Sequence, residues 1–600
     1  MYNTPHHSFH IPVMGLAYTV DTPIKVAPYG ISSVMSIVED RLIEMMRKHY
    51  YPTMGWQYHA IPAHIPDSRA KRITDYLNMV NFMVQEQVDK IKSAAFEAGS
   101  EIVKYFELLP EENRLKQLYR QMMNSGIQPE KEKIENYLRS QIIPGAIDVN
   151  IMTKTDRNNY EKDGSLIEDG SDAVAALRGY AKSNLTNSSV IFSAGMNPRL
   201  YNYLGNCEAF FMNEQGQFNK KIIIKVSDYR SALIQGKYLA KKGLWVSEFR
   251  IESGLNCGGH AFATEGYLMG PILEEFKTKK QELIDTLFEL YNDAQFKKTN
   301  QWLTTAPVIN LSAQGGIGTY EEDIFLHQQY KLNSTGWGTP FLLVPEATTV
   351  DPDTINLLIK AEEKDIELSY NSPLGVRFYY LKGSSAEKEK LDRIAKGHPG
   401  SPCSEKHLAF NTEFTQESVC TASRQYQELK IASLDTMQLT EKEYNIQLKE
   451  VLAKECLCVG LSNAAAICHK EVFIKNRNEV NICPGPNIVN FSEVVSLQTM
   501  IDHIYGRVNI MNRSERPHMF IAELNMYLDY LKEQIEKDID ADTFDKKKKY
   551  YAGFYQNLRA GILYYRTLKN IAKENRQAFV KALFYADLEL DALQYQYSFN

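Results

Sequence analysis

Gly258-Gly259-His260 is the most pointed arrangement of chemistry-bearing residues in the sequence. A histidine after two glycines, at the end of an apolar run, presents an imidazole with an ordinary pKa of about 6.5, suited to proton transfer near neutrality. Two glycine-rich turns follow, Gln314-Gly315-Gly316-Ile317-Gly318 and Gly336-Trp337-Gly338-Thr339. Glycine allows close backbone approach and positive φ. Two such turns one element apart, offering Gly315, Gly316, Gly338 and Thr339, make a grip for the phosphate of a cofactor. Thr319-x-x-Glu322 has capping-box spacing. It occupies the helix end with carboxylates and shifts the expected phosphate contact onto the loop amides. Lys225, set among isoleucines and a valine, is expected to be buried against a negative group, and a cofactor is one source of that group. Asn150, in Asp148-Val149-Asn150, offers an amide to the edge of a heterocycle.

These residues need a scaffold that brings several loops to one face. Apolar runs at 145–152, Val190–Ala194, Ile222–Val226, Trp245–Ile251 and Ala306–Leu311 alternate with helical patterns such as Asp172–Lys182 and Tyr229–Lys241. Such alternation implies a parallel sheet with crossover helices. Ligand loops after well-separated strands favour a (β/α)8 TIM barrel over an open sheet. Residues 23–31 (PIKVAPYGI) read as the first strand and Ser32–His49 as the helix after it. Residues 50–143 read as a helical insertion after that first strand. Beyond about residue 380 the pattern changes to a loop-rich, cysteine-containing region (381–512) and then a mostly helical C-terminal extension (513–600), with an apolar stripe at Phe520, Leu524, Leu528, Leu531 and Ile535.

The 600 residues are 44% hydrophobic and 24% charged, with net charge -6, which fits a globular chain with a large core and argues against bulk nucleic-acid binding. No apolar run approaches membrane-spanning length, and the N-terminus lacks the pattern of a signal peptide, so a cytoplasmic protein acting on a small molecule is expected. Eight cysteines do not make a disulfide scaffold. Five of them, Cys403, Cys420, Cys456, Cys458 and Cys483, fall close together in loop-like contexts. They read as small buried residues, with zinc or an iron–sulfur cluster as the alternative. The helices after residue 513 are candidates for docking a second copy.

Pro-Ile-x-x-Ala-Pro near the start, Val149-Asn150-Ile151, Gly258-Gly259-His260, the Gly315–Gly318 loop and Gly338-Thr339-Pro340-Phe341-Leu342 occur in the order seen in the nitronate monooxygenase family. That family includes FMN-dependent enoyl-acyl-carrier reductases. The resemblance covers roughly residues 20–380 and implies a barrel holding FMN non-covalently over residues 1–380. It implies Pro28 and Gly30 beside the flavin ring, Asn150 at its edge and Lys225 near its pyrimidine. Gly258 and Gly259 then accompany the cofactor, Gly315, Gly316, Gly338 and Thr339 take its phosphate, and His260 is the catalytic base. The activity implied is oxidation of a small nitronate-like carbon acid, with flavin-dependent reduction of an enoyl thioester as the alternative. Outside the resemblance, a phosphate-binding lyase or isomerase barrel without flavin accounts for the glycine loops alone. Leu255-Asn256-Cys257 before the Gly-Gly-His, the long insertion and the C-terminal regions depart from the family pattern.

Overall fold

Eight parallel strands close into a barrel in chain order in the computed structural model, which describes residues 5–126, 128–153, 156–258, 265–571 and 575–598. They are β1 (Phe9–Ile11), β2 (Ser32–Ser36), β3 (Ile147–Ile151), β4 (Ser189–Phe192), β5 (Lys221–Val226), β6 (Val246–Glu252), β7 (Asn310–Gln314) and β8 (Ser334–Gly336). β1 closes on β8 through Phe9 opposite Thr335 and His10 opposite Gly336. Helices cross back over the outside, among them Asp172–Lys182, Tyr229–Ala240 and Tyr320–Tyr330, as a (β/α)8 barrel requires.

The start of the barrel differs from the sequence-based expectation. Residues 23–31 form a short helix, Thr22–Val26, and a 3-10 turn, Ala27–Tyr29, with Pro23 and Pro28 at the helical starts where their missing N–H groups cost nothing. The strand falls at Ser32–Ser36, and the helix begins at Asp40. The helical insertion, Asp40–Thr53 through Gln128–Ser140, therefore follows the second strand, not the first. β8 precedes the Gly336–Thr339 turn, and the apolar stretch after it, Thr339–Leu343, is a 3-10 helix.

Strand alternation divides the barrel interior into layers. Val34, Ile191 and Ile223, on β2, β4 and β5, form a small apolar cluster inside the barrel, joined by Val13. Two residues further along, the same alternation turns Ser36, Ser193 and Lys225 inward at the C-terminal rim. The main core lies outside the strands, under the helices, and runs on without a break into the C-terminal region, through Phe520, Leu524, Leu528 and Leu531 to Tyr565 and Leu590. In the last helices Tyr565 Oη accepts from the Gly270 backbone N–H at 3.3 Å. A Cβ on Gly270 would stand 2.3 Å from the Tyr565 ring, so this helix pair closes only because residue 270 has no side chain. A two-stranded antiparallel sheet, β9 (Ile366–Ser369) with β10 (Phe378–Leu381), lies between barrel and tail. Among the described residues no single helix is long and apolar enough to cross a membrane.

Candidate functional site

A cavity, partly open to solvent, sits at the C-terminal mouth of the barrel. Its floor is the rim layer: Ser36 from β2, Asn150 from β3, Ser193 after β4, Lys225 from β5 and Glu252 from β6. The loop after β1 supplies Val13, Met14 and Tyr18 as a wall. The roof comes from far along the chain, with Phe378 of β10, Leu457, Leu461 and Cys483. Tyr18 ties wall to roof by donating its hydroxyl to the Asn481 carbonyl at 2.7 Å.

Two of the polar groups on the floor occupy one another. Lys225 Nζ lies 3.1 Å from Glu252 Oε1, so the chain itself supplies the negative partner expected of a cofactor. The same carboxylate oxygen accepts from Asn256 Nδ2 at 2.6 Å and Gln314 Nε2 at 2.8 Å. Asn150 also lines the cavity, and its side-chain Oδ1 is buried without a hydrogen-bond partner. Leaving a buried acceptor unpaired costs about 1–3 kcal/mol, so a polar ligand edge at this point recovers free energy.

Gly258 also lines the cavity, at φ +73. A Cβ there would lie 2.4 Å from Met14 Cα, so the loops after β1 and β6 meet backbone to backbone. The Gly258 N–H donates to the Cys483 carbonyl at 3.0 Å. Gly259 and His260 lie outside the described residues.

Pro28 and Gly30 are not at the mouth. They precede β2, and Gly30 faces the Tyr105 hydroxyl and the Ile143 carbonyl at the N-terminal end of the barrel. They do not flank a ring bound at the mouth, because β2 begins after them and runs away from them to the rim.

The glycine grip is built as a pair of loops, but this chain fills it. At β7, a Cβ on Gly315 would be 3.0 Å from Ser253 Cβ, and one on Gly316 2.7 Å from Leu255 Cδ1. Arg516 donates to the Gly316 carbonyl at 2.6 Å, and Asn487 Nδ2 to the Ile317 carbonyl at 3.0 Å. At β8, Gly338 abuts Cys257 and Pro12, while Thr339 donates its hydroxyl to the Pro484 carbonyl at 2.7 Å. Gly485, at φ +71, crosses so close that a Cβ would lie 2.9 Å from Thr339 Oγ1. The expected cap forms in part: Thr319 Oγ1 accepts from Glu322 N, while the Glu322 carboxylate accepts from Gly318 N rather than Thr319 N. Glu322 also takes Arg516 at 2.7 Å and the Met519 N–H at 2.7 Å. Burial would raise its pKa, but the Arg516 guanidinium and these donors hold it below the ordinary value. A phosphate at Gly315, Gly316, Gly338 and Thr339 would meet packed protein and an ionised carboxylate, so the double-glycine phosphate grip does not fit in this arrangement. Residues 484–487 and Arg516 lie outside the sequence-based site, and Cys483 entered it only as a candidate metal ligand. Their only sequence signal is Cys483-Pro484-Gly485-Pro486, a turn with no fixed address.

The five cysteines do not form one set. Cys483 lies beside Cys257, whose thiol donates to the Cys483 carbonyl at 3.4 Å. Cys403 and Cys420 contact each other through their sulfurs, and Cys456 and Cys458 flank Leu457 nearby. None of the eight cysteines is in a disulfide. Among the described residues one trio is close enough to share a single ion: Glu39, Glu405 and His407. Burial opposes charge on His407, but Glu39 and Asp172 raise its pKa to about 9. Glu405 meanwhile pairs with Arg41 at 2.6 Å. With Arg41 on Glu405 and His407 against Glu39, the trio ties the segment after β2 to the 405–407 loop.

No family model matches the chain, and no curated protein matches it. Among solved structures it is similar to the enoyl reductase domain of MlnA from the macrolactin biosynthesis cluster of Bacillus amyloliquefaciens. The two share 13% identity over 71% of this chain and 93% of that one, with a TM-score of 0.32. So loose a superposition adds nothing to the barrel topology already given by the strand pairing.

Proposed function

We propose that the protein is a flavin-type oxidoreductase whose barrel-mouth cavity holds the cofactor ring non-covalently. The observation that carries this reading is the unpaired, buried Oδ1 of Asn150 at the floor of an otherwise apolar-walled cavity. The pyrimidine edge of such a ring carries an N–H donor for that acceptor. Lys225 has three N–H donors, and its pairing with Glu252 leaves donors for a ring carbonyl. Ser36 and Ser193 add hydroxyls at the same level. The ring supplies hydride or single-electron transfer when bound; the chain positions it and excludes water beneath Phe378, Leu457 and Leu461. The phosphate end is not assigned to the glycine loops, for the packing reasons above.

The finer reading is oxidation of a small nitronate-like carbon acid, with His260 as base. Its support is sequence position: Gly258, two residues before it, lines the cavity. Reduction of an enoyl thioester is the competing reading within the same class. The deciding experiment is the absorbance spectrum of the purified full chain, with the mass of any released cofactor, followed by turnover of a nitroalkane anion with oxygen and of an enoyl thioester with a reductant. A flavin spectrum is expected. A colourless protein that binds no added flavin overturns the class and favours the phosphate-ligand lyase or isomerase reading. Full turnover by His260→Ala overturns the base assignment.

A further inference from the structure

We propose that Cys403 and Cys420 are a reversible dithiol–disulfide pair, oxidised by a hydroperoxide. Their sulfurs are in direct contact. Two short pairings hold them there. Ser401 bridges Ser423 in parallel, with Ser401 N–H donating to the Ala422 carbonyl at 2.9 Å and Arg424 N–H to the Ser401 carbonyl at 3.0 Å. Inside the loop, Asn411 bridges Val419 in antiparallel fashion, with N–H to carbonyl bonds of 3.0 and 2.8 Å in the two directions. Ala409 and Ala422 close round the pair as one apolar cluster. The disulfide therefore joins neighbours that the fold has already brought together.

The two thiols are placed unequally. Cys403 is partly exposed and Cys420 is buried. The backbone N–H of Lys406 is directed at the Cys403 sulfur. Lys406 takes φ +58 in that turn, a conformation uncommon in residues with a side chain. Contact with Cys420, together with this N–H, holds the Cys403 thiol below its ordinary value, at about 7, although burial opposes the shift. Contact with Cys403, reinforced by burial, keeps Cys420 protonated. A pair divided in this way has an attacking thiolate on the solvent side and a resolving thiol behind it. Cysteines acting as apolar filler need neither the contact nor the aimed donor.

The reaction runs in two steps. The Cys403 thiolate attacks the outer oxygen of the hydroperoxide, the O–O bond breaks, and the alkoxide leaves and takes up a proton as the alcohol. Cys403 is then a sulfenic acid. The Cys420 sulfur attacks it, the S–S bond forms, and the departing hydroxide leaves as water with the proton Cys420 gives up. Two thiols are oxidised by two electrons, and the hydroperoxide is reduced to alcohol and water. The bond closes a ring round Glu405 and His407, the residues that tie this loop to the segment after β2. Leu408, in the same ring, packs both on the Cys420 cluster and on Phe378 and Leu457 of the cavity roof. Oxidation thus staples the loop that backs the roof.

The test uses the full chain, reduced, exposed to a few-fold excess of hydrogen peroxide, blocked with N-ethylmaleimide and digested with trypsin without reduction. Trypsin cuts after Lys396, Lys406 and Arg424, so Cys403 and Cys420 fall on separate peptides. These two peptides are expected to appear cross-linked, with the loss of two hydrogens, and to separate again after dithiothreitol. Cys420→Ser is expected to trap a sulfenic acid on Cys403 that dimedone labels, and Cys403→Ser to leave Cys420 a free thiol. Cys456→Ser and Cys458→Ser are expected to keep the cross-link. Circular dichroism checks that the variants fold; should they not, the peptide map of the unaltered chain decides by itself. Cysteines 403 and 420 both recovered as thiols would overturn the proposal, as would a cross-link from Cys403 to Cys456 or a sulfenic acid on Cys420 in Cys403→Ser. The map is read whether or not flavin is bound, so this outcome and that of the flavin reading are separate.

Discussion

The two halves of the barrel mouth are finished in opposite ways. Over β2 to β5, Ser36, Asn150, Ser193 and Lys225 face a cavity, and one buried acceptor lacks a partner. Over β7 and β8, Gly315, Gly316, Gly338 and Thr339 meet Leu255, Cys257, Gly485 and Arg516 in close packing. Both halves began as candidate ligand sites, and the difference shows what glycine signals. A glycine loop states that something approaches the backbone closely. It does not state whether that something is a ligand or a distant part of the same chain.

Breaking the sealed half has the largest expected effect. Arg516→Ala leaves the buried Glu322 carboxylate without its cation and frees the Gly316 carbonyl and Asn487, at an expected cost of about 3–5 kcal/mol in chemical denaturation. A loss under about 1 kcal/mol would show that this ion pair does not hold the seal. Gly485→Ala puts a Cβ onto Thr339 Oγ1 at a positive-φ position, with an expected cost of about 1–3 kcal/mol by the same measurement.

A pH profile sharpens the comparison further. Glu523 joins the sealed side to the tail, accepting from Ser253 Oγ and from Met269 N, both at 2.8 Å. Burial raises its pKa to about 7. The folded chain thus binds this proton more tightly than the unfolded chain, whose Glu titrates near pH 4.3. The resulting stabilisation is full below about pH 4 and declines as pH rises to about 7. Glu523→Gln is expected to flatten that decline in melting temperature against pH. Parallel curves for the variant and the unaltered chain would assign the decline to another group.

The smallest effect on stability belongs to the open half. Asn150→Ala removes an acceptor that makes no bond, and relief of its unpaired burial offsets the packing lost with the side chain, so stability is expected to stay within about 0.5 kcal/mol. Its effect falls on binding, where losing one buried hydrogen bond weakens added flavin roughly tenfold by titration. Unchanged affinity would remove Asn150 from the site.

Legibility in the sequence followed the length and composition of each run. β3 to β6 are continuous apolar stretches set off by helical patterns, and they were readable close to their bounds. β1 has three residues, too few for a pattern. β2 reads SSVMS and runs into Ile37 and Val38, so its apolar positions also satisfy helical spacing. That ambiguity displaced the first strand by nine residues and carried Pro28 and Gly30 to the wrong end of the barrel. Asn150 and Lys225 were readable because they interrupt apolar strands near their C-terminal ends. The roof was not: nothing in Phe378, Leu457 or Leu461 distinguishes them from core residues, since their role rests on contacts across hundreds of residues.

By itself the sequence determined the alternation of strand and helix, the parallel barrel it implies, and which glycines permit close approach. These are local properties, set by side-chain period and backbone freedom. Only the tertiary structure decided that residues 483–487 and Arg516 fill the glycine loops, and that Glu252 rather than a ligand answers Lys225. Each of those outcomes depends on which distant segment reaches a given point first, and local pattern carries no record of that.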